Sequence, residues 1–133
     1  MSAMDAAASH ETAPRTAADL HVLIAGAGGI GCPAAWGLAA SGIGRITLLD
    51  PDVVELSNLP RQVLYREVDV GRAKAHAAAA RLPAEVFGGG THARLDDTNE
   101  AALLEGVDVV LDATDGAHAK DWINQLAVRR GVP

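Results

Sequence analysis

The apolar residues of this chain fall into short runs that are separated by polar or glycine-rich turns. His21–Ala25 is an apolar run of strand length that is too short for a helical repeat to develop. Arg45–Asp50 and Val107–Ala113 have the same character. We predict three strands of a parallel sheet, because strands covered on both faces have nearly continuous apolar sequences.

Helix-forming segments lie between and after these strands. Cys32–Ser41 is rich in Ala and Leu and is followed by a glycine, which is a typical helix stop. His76–Leu82 is alanine-rich and is followed by proline, and Asp69 is its predicted N-cap. Two further helices are predicted, at Glu100–Glu105 and Ala117–Arg130.

The third strand of the sheet has the least regular sequence. Glu85–Phe87 and Thr91–Leu95 each resemble part of a strand, and three glycines separate them. The alternation of strands and helices nevertheless predicts an α/β, Rossmann-like fold with helices on both faces of a parallel sheet. Right-handed crossovers then give the strand order 3-2-1-4.

A glycine-rich turn, Gly26–Gly31, follows the first predicted strand and precedes the first helix. Glycines in this position allow a tight turn and let a phosphate approach the backbone at the helix N-terminus. Asp50 ends the second strand 19 residues after Gly31, where nucleotide-binding βαβ folds place an acid against the ribose hydroxyls. These features together predict an adenine-nucleotide site at this end of the sheet.

Composition and charge narrow the classes of partner and compartment. The formal net charge of −6 argues against general affinity for nucleic acid or anionic membranes, both of which need clustered Lys and Arg. Cys32 is the only cysteine, so an internal disulfide and a CxxC metal site are excluded and a reducing compartment is expected. We interpret Cys32 as a small residue packed under the glycine turn.

No apolar run reaches the ~18 residues of a membrane span, and a cytoplasmic location is predicted.

The chain is predicted to contain one domain, at residues 20–133. Residues 1–19 are rich in Ala, Ser and Thr and have no stable periodicity, so we expect a mobile N-terminal arm. This arm could instead form a short helix that docks on a partner subunit.

Five motifs, in order and at matching spacing, resemble the ThiF/MoeB/HesA family, the bacterial relatives of ubiquitin-activating E1 enzymes. They are Gly26–Cys32, Ile46–Asp52, Leu56–Gln62, Val70–Lys74 and Leu111–Asp115. The resemblance covers residues 20–133, which correspond to the nucleotide-binding front half of the family's domain. It implies an adenylyltransferase that uses ATP to adenylate the C-terminal glycine carboxylate of a ubiquitin-like, ThiS/MoaD-like sulfur carrier, and that works as a homodimer.

The resemblance also implies roles for individual residues. Arg61 and Lys74 would neutralise the triphosphate and stabilise the leaving pyrophosphate. Asp115 would bind Mg²⁺ directly or through water, assisted by Asp52. The other nucleotide contacts that the resemblance implies are Gly26, Gly28, Gly29, Gly31, Asp50, Ser57 and Asn58.

The chain departs from the family's pattern in three places. The N-terminal segment lacks the arginine-bearing sequence that family dimers send into the neighbouring site, and Arg15 is the nearest candidate. Gly116 stands where the family usually has Asn. The chain ends at Pro133, before the family's later sheet, catalytic cysteine loop and paired CxxC zinc site. We therefore expect no zinc, and the resemblance does not predict full turnover by this chain alone.

Three other functions are compatible with parts of the sequence. An enzyme like tRNA threonylcarbamoyladenosine dehydratase activates a carboxylate on tRNA through the same nucleotide-binding half. An NAD-binding oxidoreductase half-domain would equally explain the glycine turn and Asp50, but it would not require Arg61 and Lys74. A non-catalytic nucleotide-binding or interaction module is the fourth possibility.

Overall fold

The computed structural model describes residues 15–62 and 64–133 and contains a four-stranded parallel sheet with helices on both faces. The strands are β1 (His21–Ala25), β2 (Arg45–Leu49), β3 (Phe87–Thr91) and β4 (Val109–Asp112). The helices are α1 (Gly31–Ala40), α2 (Lys74–Ala79), α3 (Glu100–Leu103) and α4 (Ala117–Arg130). The strand order β3-β2-β1-β4 confirms the predicted Rossmann-like fold.

Alternate residues of β1 build the cores on the two faces of the sheet. Val22 and Ile24 pack in the cluster that includes side chains of α1 and α2. Leu23 and Ala25 point to the opposite face, where the cluster includes side chains of α3 and α4. Successive side chains of a strand point to opposite faces of the sheet. Because both faces of β1 are covered, apolar residues are needed at consecutive positions of this strand. By contrast β4, at one edge of the described sheet, is only half-buried.

The third strand was predicted in two runs, Glu85–Phe87 and Thr91–Leu95, but in the structure it is formed across the glycines between them. β3 passes through Gly88–Gly90 and pairs with β2 from Ile46 to Leu49, with an irregular register between Ile46 and Thr47. A Cβ atom at Gly90 would overlap the backbone carbonyl of Ala75 in α2. Gly88 and Gly90 are therefore needed for close contact between this strand and its neighbours, which sequence pattern alone does not reveal.

Asp69 does not cap a helix, which corrects another prediction. α2 begins five residues later, at Lys74, and its N-cap is Ala73. Asp69 is instead completely buried, and its carboxylate accepts hydrogen bonds from Arg72 (3.0 Å), Arg81 (2.9 Å) and the backbone N–H of Arg66 (2.9 Å). Burial raises the pKa of this carboxyl, but these donors and the charge of Arg81 outweigh it, so the pKa lies below its ordinary value.

The first described residues contact the body of the domain. Ala17–Asp19 form a 3-10 turn, and the Ala17 carbonyl accepts a hydrogen bond from the Gly44 N–H (3.0 Å). Arg15 pairs with Asp108 at 2.9 Å. The predicted boundary between arm and domain, after Asp19, falls in this contacting segment. Residues 1–14 of the predicted arm lie outside the described residues. The division into an arm at 1–19 and a domain at 20–133 stays a prediction. Within residues 15–62 and 64–133, none of the helices has the length and hydropathy needed to cross a membrane.

Candidate functional site

The carboxyl ends of the parallel strands border one cleft with a volume of about 640 Å³. In α/β folds of this kind, ligands bind outside the carboxyl ends of the strands where the strand order reverses, which here is between β1 and β4. Six of the predicted site residues line the cleft, and they are Gly26, Gly28, Asp50, Asp52, Lys74 and Asp115.

The glycine turn is held tightly between β1, β4 and α1. Gly26 has a φ of +106°, and a Cβ atom there would lie 2.5 Å from the carbonyl oxygen of Ala113. A Cβ atom at Gly31 would overlap the carbonyl of Gly26. Cys32 is buried beneath the turn, as predicted, where its thiol donates to the Ala27 carbonyl (3.2 Å) and burial raises its pKa.

Asp50 connects the glycine turn to the loop that follows β2. One of its carboxylate oxygens accepts a hydrogen bond from the Ala27 N–H (2.8 Å), and the other accepts one from the Asp52 N–H (2.7 Å). The side chain is buried but lines the cleft. A carboxylate has about four lone-pair sites, so Asp50 can organise the turn and still accept hydrogen bonds from a ligand.

Lys74 is a buried cation that faces the cleft. The residue is only 8 % exposed, at the first position of α2, and its backbone N–H donates to the Asp52 carbonyl (2.9 Å). In the described part of the chain, no carboxylate forms an ion pair with its ammonium group. Because an uncompensated buried charge is costly, this position is suited to an anionic ligand.

Two polar residues that the sequence did not mark as site residues support this end of the cleft. The Tyr65 hydroxyl lies within hydrogen-bonding distance of the carbonyls of Ala27 and Lys74, and its burial raises its pKa. It thereby connects the glycine turn to α2. Gln62 is also buried and lines the cleft, next to Gly28. In the sequence, the position of Gln62 at the end of the motif Leu56–Gln62 was the one feature that could have marked it as a site residue.

The opposite wall of the cleft is apolar. Leu95, which follows β3, and Ile123, on α4, are buried there, and Trp122 is half-buried beside them. These residues belong to the second face of the sheet, whereas Tyr65 lies on the first, where Ala77–Ala79 of α2, the helix that begins at Lys74, also pack. The cleft therefore has one polar, cationic wall and one apolar wall.

Five of the predicted contact residues do not line the cleft, and their roles stay predictions. Ser57 and Arg61 have exposed side chains in the loop after β2, and Gly29 is an exposed turn residue that faces the Arg61 carbonyl. Asn58 is buried, and its side-chain oxygen accepts a hydrogen bond from the Glu55 N–H (3.0 Å). Gly31 is where the turn and α1 pack together.

The acidic residues of the cleft fit a magnesium ion that arrives with a phosphate ligand. Asp115 is exposed at the end of β4, and Asp50 and Asp52 line the same cleft. Among the residues that the structure describes, no group of three or more His, Cys, Asp or Glu side chains could hold a metal. Mg²⁺ commonly takes only one or two carboxylates together with phosphate oxygens and waters, and Asp115 is the residue that would hold it.

Asp112 has a local structural role at the same end of β4. Its carboxylate accepts hydrogen bonds from the backbone N–H and hydroxyl of Thr114 (3.0 and 2.6 Å), and Lys120 lies 3.6 Å away. These contacts shape the turn that leads to Asp115.

Comparison with known proteins identifies the family. The model of the ThiF family matches residues 4–133. The adenylyltransferase and sulfurtransferase MOCS3 of Anopheles gambiae is 46% identical over 110 residues, which are 80% of this chain and 25% of that protein. The molybdopterin-synthase adenylyltransferase of Escherichia coli is 42% identical over 118 residues, covering 86% of this chain and 47% of the relative.

Solved structures agree with this assignment. The structure of E. coli tRNA N6-threonylcarbamoyladenosine dehydratase, TcdA, in complex with ATP has a TM-score of 0.79 and 34% sequence identity, covering 88% of this chain and 50% of that chain. The structure of E. coli MccB with ATP has a TM-score of 0.78 and 32% sequence identity, and the match covers 88% of this chain and 36% of the MccB chain. The chain thus spans between a quarter and a half of the length of these proteins. It belongs to the ThiF family.

Proposed function

We propose that the cleft binds ATP with Mg²⁺, and that the chain is the nucleotide-binding part of an adenylyltransferase that activates the C-terminal carboxylate of a ubiquitin-like sulfur carrier. The observation that carries this proposal is Lys74, a buried lysine without a carboxylate partner among the described residues, facing a cleft beside a glycine turn. The relatives named adenylyltransferases supply the reaction class.

The two walls of the cleft favour one orientation of the nucleotide. The apolar wall formed by Leu95, Trp122 and Ile123 suits a purine base, because stacking and burial of an aromatic ring are favourable there. The phosphates then lie between Lys74 and the glycine turn. Asp50 lines the same cleft at the end of β2, next to the glycine turn, where it can accept hydrogen bonds from the ribose hydroxyls.

The proposed reaction is transfer of an adenylyl group to a carboxylate. A carboxylate oxygen of the carrier attacks the α-phosphorus, the bond from this phosphorus to the bridging oxygen breaks, and pyrophosphate leaves with the electron pair. Lys74 stabilises the negative charge that develops on the phosphates, and Arg61 does so if its exposed side chain turns toward the ligand. When bound, Mg²⁺ on Asp115 would neutralise further phosphate charge.

A second candidate is the activation of a carboxylate on tRNA, since structures of E. coli TcdA are among the neighbours. The net charge of −6 is the argument against it, because tRNA binding depends on neutralisation of backbone phosphates by clustered cations. A basic surface from a partner would be required.

Calorimetric titration of this 133-residue chain with ATP–Mg²⁺ and, separately, with NAD tests the nucleotide assignment. We expect binding of ATP and much weaker binding of NAD. Tighter binding of NAD would overturn the proposal in favour of an oxidoreductase half-domain.

The reaction itself is tested by exchange of labelled pyrophosphate into ATP. Exchange should depend on a carrier protein with an intact C-terminal glycine, and a carrier without that glycine is the control. Exchange that depends on tRNA instead would favour the second candidate.

A further inference from the structure

Two histidines that are not among the residues lining the cleft lie side by side on the surface. His76 is on α2 and His92 follows β3, and both are exposed. Their ring centres are 6.4 Å apart, and the ring planes are inclined by 52°. In the described part of the chain neither ring takes part in an ion pair, whereas the ring of His21 lies 2.7 Å from the Thr47 hydroxyl. The two neighbouring imidazoles are thus open to a ligand.

Backbone contacts hold these two residues at their separation. A Cβ atom at Gly90 would overlap the carbonyl of Ala75, so α2 lies directly against β3 at the residue before His76. His92 is the central residue of a tight turn at the end of β3, which is closed by a backbone hydrogen bond of 2.9 Å between its two neighbours. Only the side-chain torsions of the two histidines therefore have to change when a ligand binds both rings.

The distance between the rings suits two ligands of one metal ion after a small adjustment. Imidazole nitrogens bind Zn²⁺ at about 2.0–2.1 Å, which places the centres of two rings roughly 5 Å apart in a tetrahedral site. The rings must approach each other by roughly 1–2 Å, a change that the side-chain torsions of exposed residues allow. Beside His76, residues of α2 and Gly90 border an open hollow with a volume of about 430 Å³, which leaves room for water ligands.

We propose that His76 and His92 form a binding site for a divalent transition-metal ion such as Zn²⁺, with waters at its remaining positions. Imidazole is a preferred ligand of Zn²⁺, Ni²⁺ and Cu²⁺, whereas Mg²⁺ prefers oxygen ligands. Among the residues that the structure describes, no third His, Cys, Asp or Glu side chain completes a metal-binding group. The site does not depend on the proposed function. It is also distinct from the paired CxxC site on which the expectation of no zinc was based.

An ion at this site would connect α2 to the end of β3. Its two ligands come from different elements, so an unfolded chain does not hold them together. An ion that binds the folded state in preference to the unfolded state stabilises the fold by mass action. Zn²⁺ should therefore raise the Tm of the chain, and Mg²⁺ at the same concentration should not reproduce this effect through the two histidines.

Calorimetric titration of the full chain with Zn²⁺, in the absence of nucleotide, tests the site. We expect at least about tenfold weaker binding to His76→Gln and to His92→Gln, since loss of even an outer-shell partner of a metal site commonly costs that much. The double variant should resemble either single variant, because one remaining imidazole cannot chelate. His118→Gln is the matched control, because it removes a histidine from a different helix and leaves the pair intact.

Thermal unfolding provides a second readout with the same variants. Both histidines of the pair are exposed, so His76→Gln and His92→Gln should keep the metal-free Tm of the parent and lose the Zn²⁺-induced rise. An equal rise in the parent and in both variants would place the ion elsewhere and overturn the proposal. A loss of Zn²⁺ affinity in His118→Gln as large as in the pair variants would overturn it as well.

NMR signals of the imidazole nitrogens in the ¹⁵N-labelled parent chain keep the proposal testable if a variant disturbs folding. The signals of His76 and His92 should shift together, with the same dependence on Zn²⁺ concentration. A shift of only one of these rings, or of neither, would overturn the proposal. These measurements contain no nucleotide, so a failure of the chain to bind ATP would overturn the proposed function and leave their outcome unchanged.

Discussion

Burial distinguishes Lys74 from the only other lysine in the chain, Lys120. Lys120 lies on the exposed side of α4 and has Asp112 within 3.6 Å, so its charge is already solvated and partly compensated. Lys74 is buried, and no carboxylate among the described residues forms an ion pair with it. At the level of single residues, this contrast is the one expected between a ligand-binding cation and an ordinary surface charge, and residue type alone does not reveal it.

We predict that Lys74→Met weakens ATP binding much more than AMP binding. Under the proposed function, Lys74 neutralises charge on the β- and γ-phosphates, and a charge-assisted contact contributes about 1.5–3 kcal/mol, or tenfold or more in affinity. The difference should shrink as ionic strength rises. Calorimetry with both ligands at two salt concentrations measures it, with Lys120→Met as the matched control. Equal losses for ATP and AMP would move Lys74 away from the β- and γ-phosphates.

The site residues that could be predicted from the sequence are those with a fixed position in a local motif. Asp50 follows a strand and Gly26 opens a turn, so their places follow from strand length and turn geometry. Gln62 was not predicted as a site residue, because a glutamine in a polar loop is normally exposed. Its burial depends on how the loop packs under the glycine turn, which is a tertiary property.

At the level of elements, the contact between α1 and the glycine turn sets how closely this helix lies on the sheet. Gly31 and Gly37 are both in α1, but only Gly31 faces another backbone: a Cβ there would lie 2.8 Å from the carbonyl carbon of Gly26, whereas nothing lies within 4 Å at Gly37. Helix propensity would favour alanine at both positions.

We predict opposite effects of alanine at these two glycines. Gly31→Ala should lower the free energy of unfolding by about 3 kcal/mol, because overpacking forces the helix or the turn to shift. Gly37→Ala should raise it by about 0.5–1 kcal/mol through helix propensity alone. Urea unfolding of both variants measures the difference, and a Gly31→Ala variant as stable as Gly37→Ala would show that the turn yields without cost.

A second element contact, between the turn Glu67–Asp69 and the end of α2, depends on one buried carboxylate. The pKa of Asp69 is depressed in the folded chain, so its contribution to stability is present above the unfolded-state pKa of about 3.9 and is lost as the pH falls through the folded-state value. Asp69→Asn should cost about 3 kcal/mol at pH 7, because Arg81 loses its partner.

The pH dependence of this effect identifies its origin. The stability difference between parent and Asp69→Asn should narrow as the pH falls below about 4, because the unfolded parent chain then binds a proton that the folded carboxylate takes up only at lower pH. Urea unfolding at pH 7 and at steps down to about pH 2.5 tests this. Asp97→Asn, which changes an exposed aspartate, is the control. A constant difference at all pH values would show that packing and not charge is lost.

The elements that were predicted most accurately are those whose pattern is local. β1 was predicted at its observed bounds, and so was α4, because strand length and helical periodicity are visible in their own residues. The bounds of β3 were predicted wrongly because Gly88 and Gly90 are explained only by β2 and α2, which pack against them. The same reason explains why Asp69 was mistaken for a helix cap.

At the level of the whole molecule, the sheet separates two kinds of surface and joins them at one cleft. The first face carries Tyr65 and the helix α2, which begins at Lys74, and the second carries Leu95 and Ile123. A strand order that reverses at β1 brings both to the same edge. The strand order could be predicted from crossover handedness, whereas the apolar wall could not, since it combines residues that follow β3 with residues of α4.

The last prediction concerns assembly, and we predict that the chain forms a homodimer. Several large apolar side chains are exposed on the described surface, among them Trp36 at 57 % and Ile30 and Leu56 at more than 60 %. Removing such groups from water favours association. The net charge of −6 on each copy opposes association, so screening by salt should strengthen an apolar dimer. A dimer held by surface ion pairs would instead become weaker at high salt.

Sedimentation equilibrium at low and high salt tests this assembly. The expected mass is twice the 13.6 kDa of one chain, with a dimer fraction that is equal or higher at high salt. Trp36→Lys and Val128→Lys place the same charge on two exposed apolar positions of different helices, so unequal effects would locate the interface. A monomer at high protein concentration in both salts would contradict the prediction, because the exposed apolar groups would then contribute too little to overcome the entropy of association.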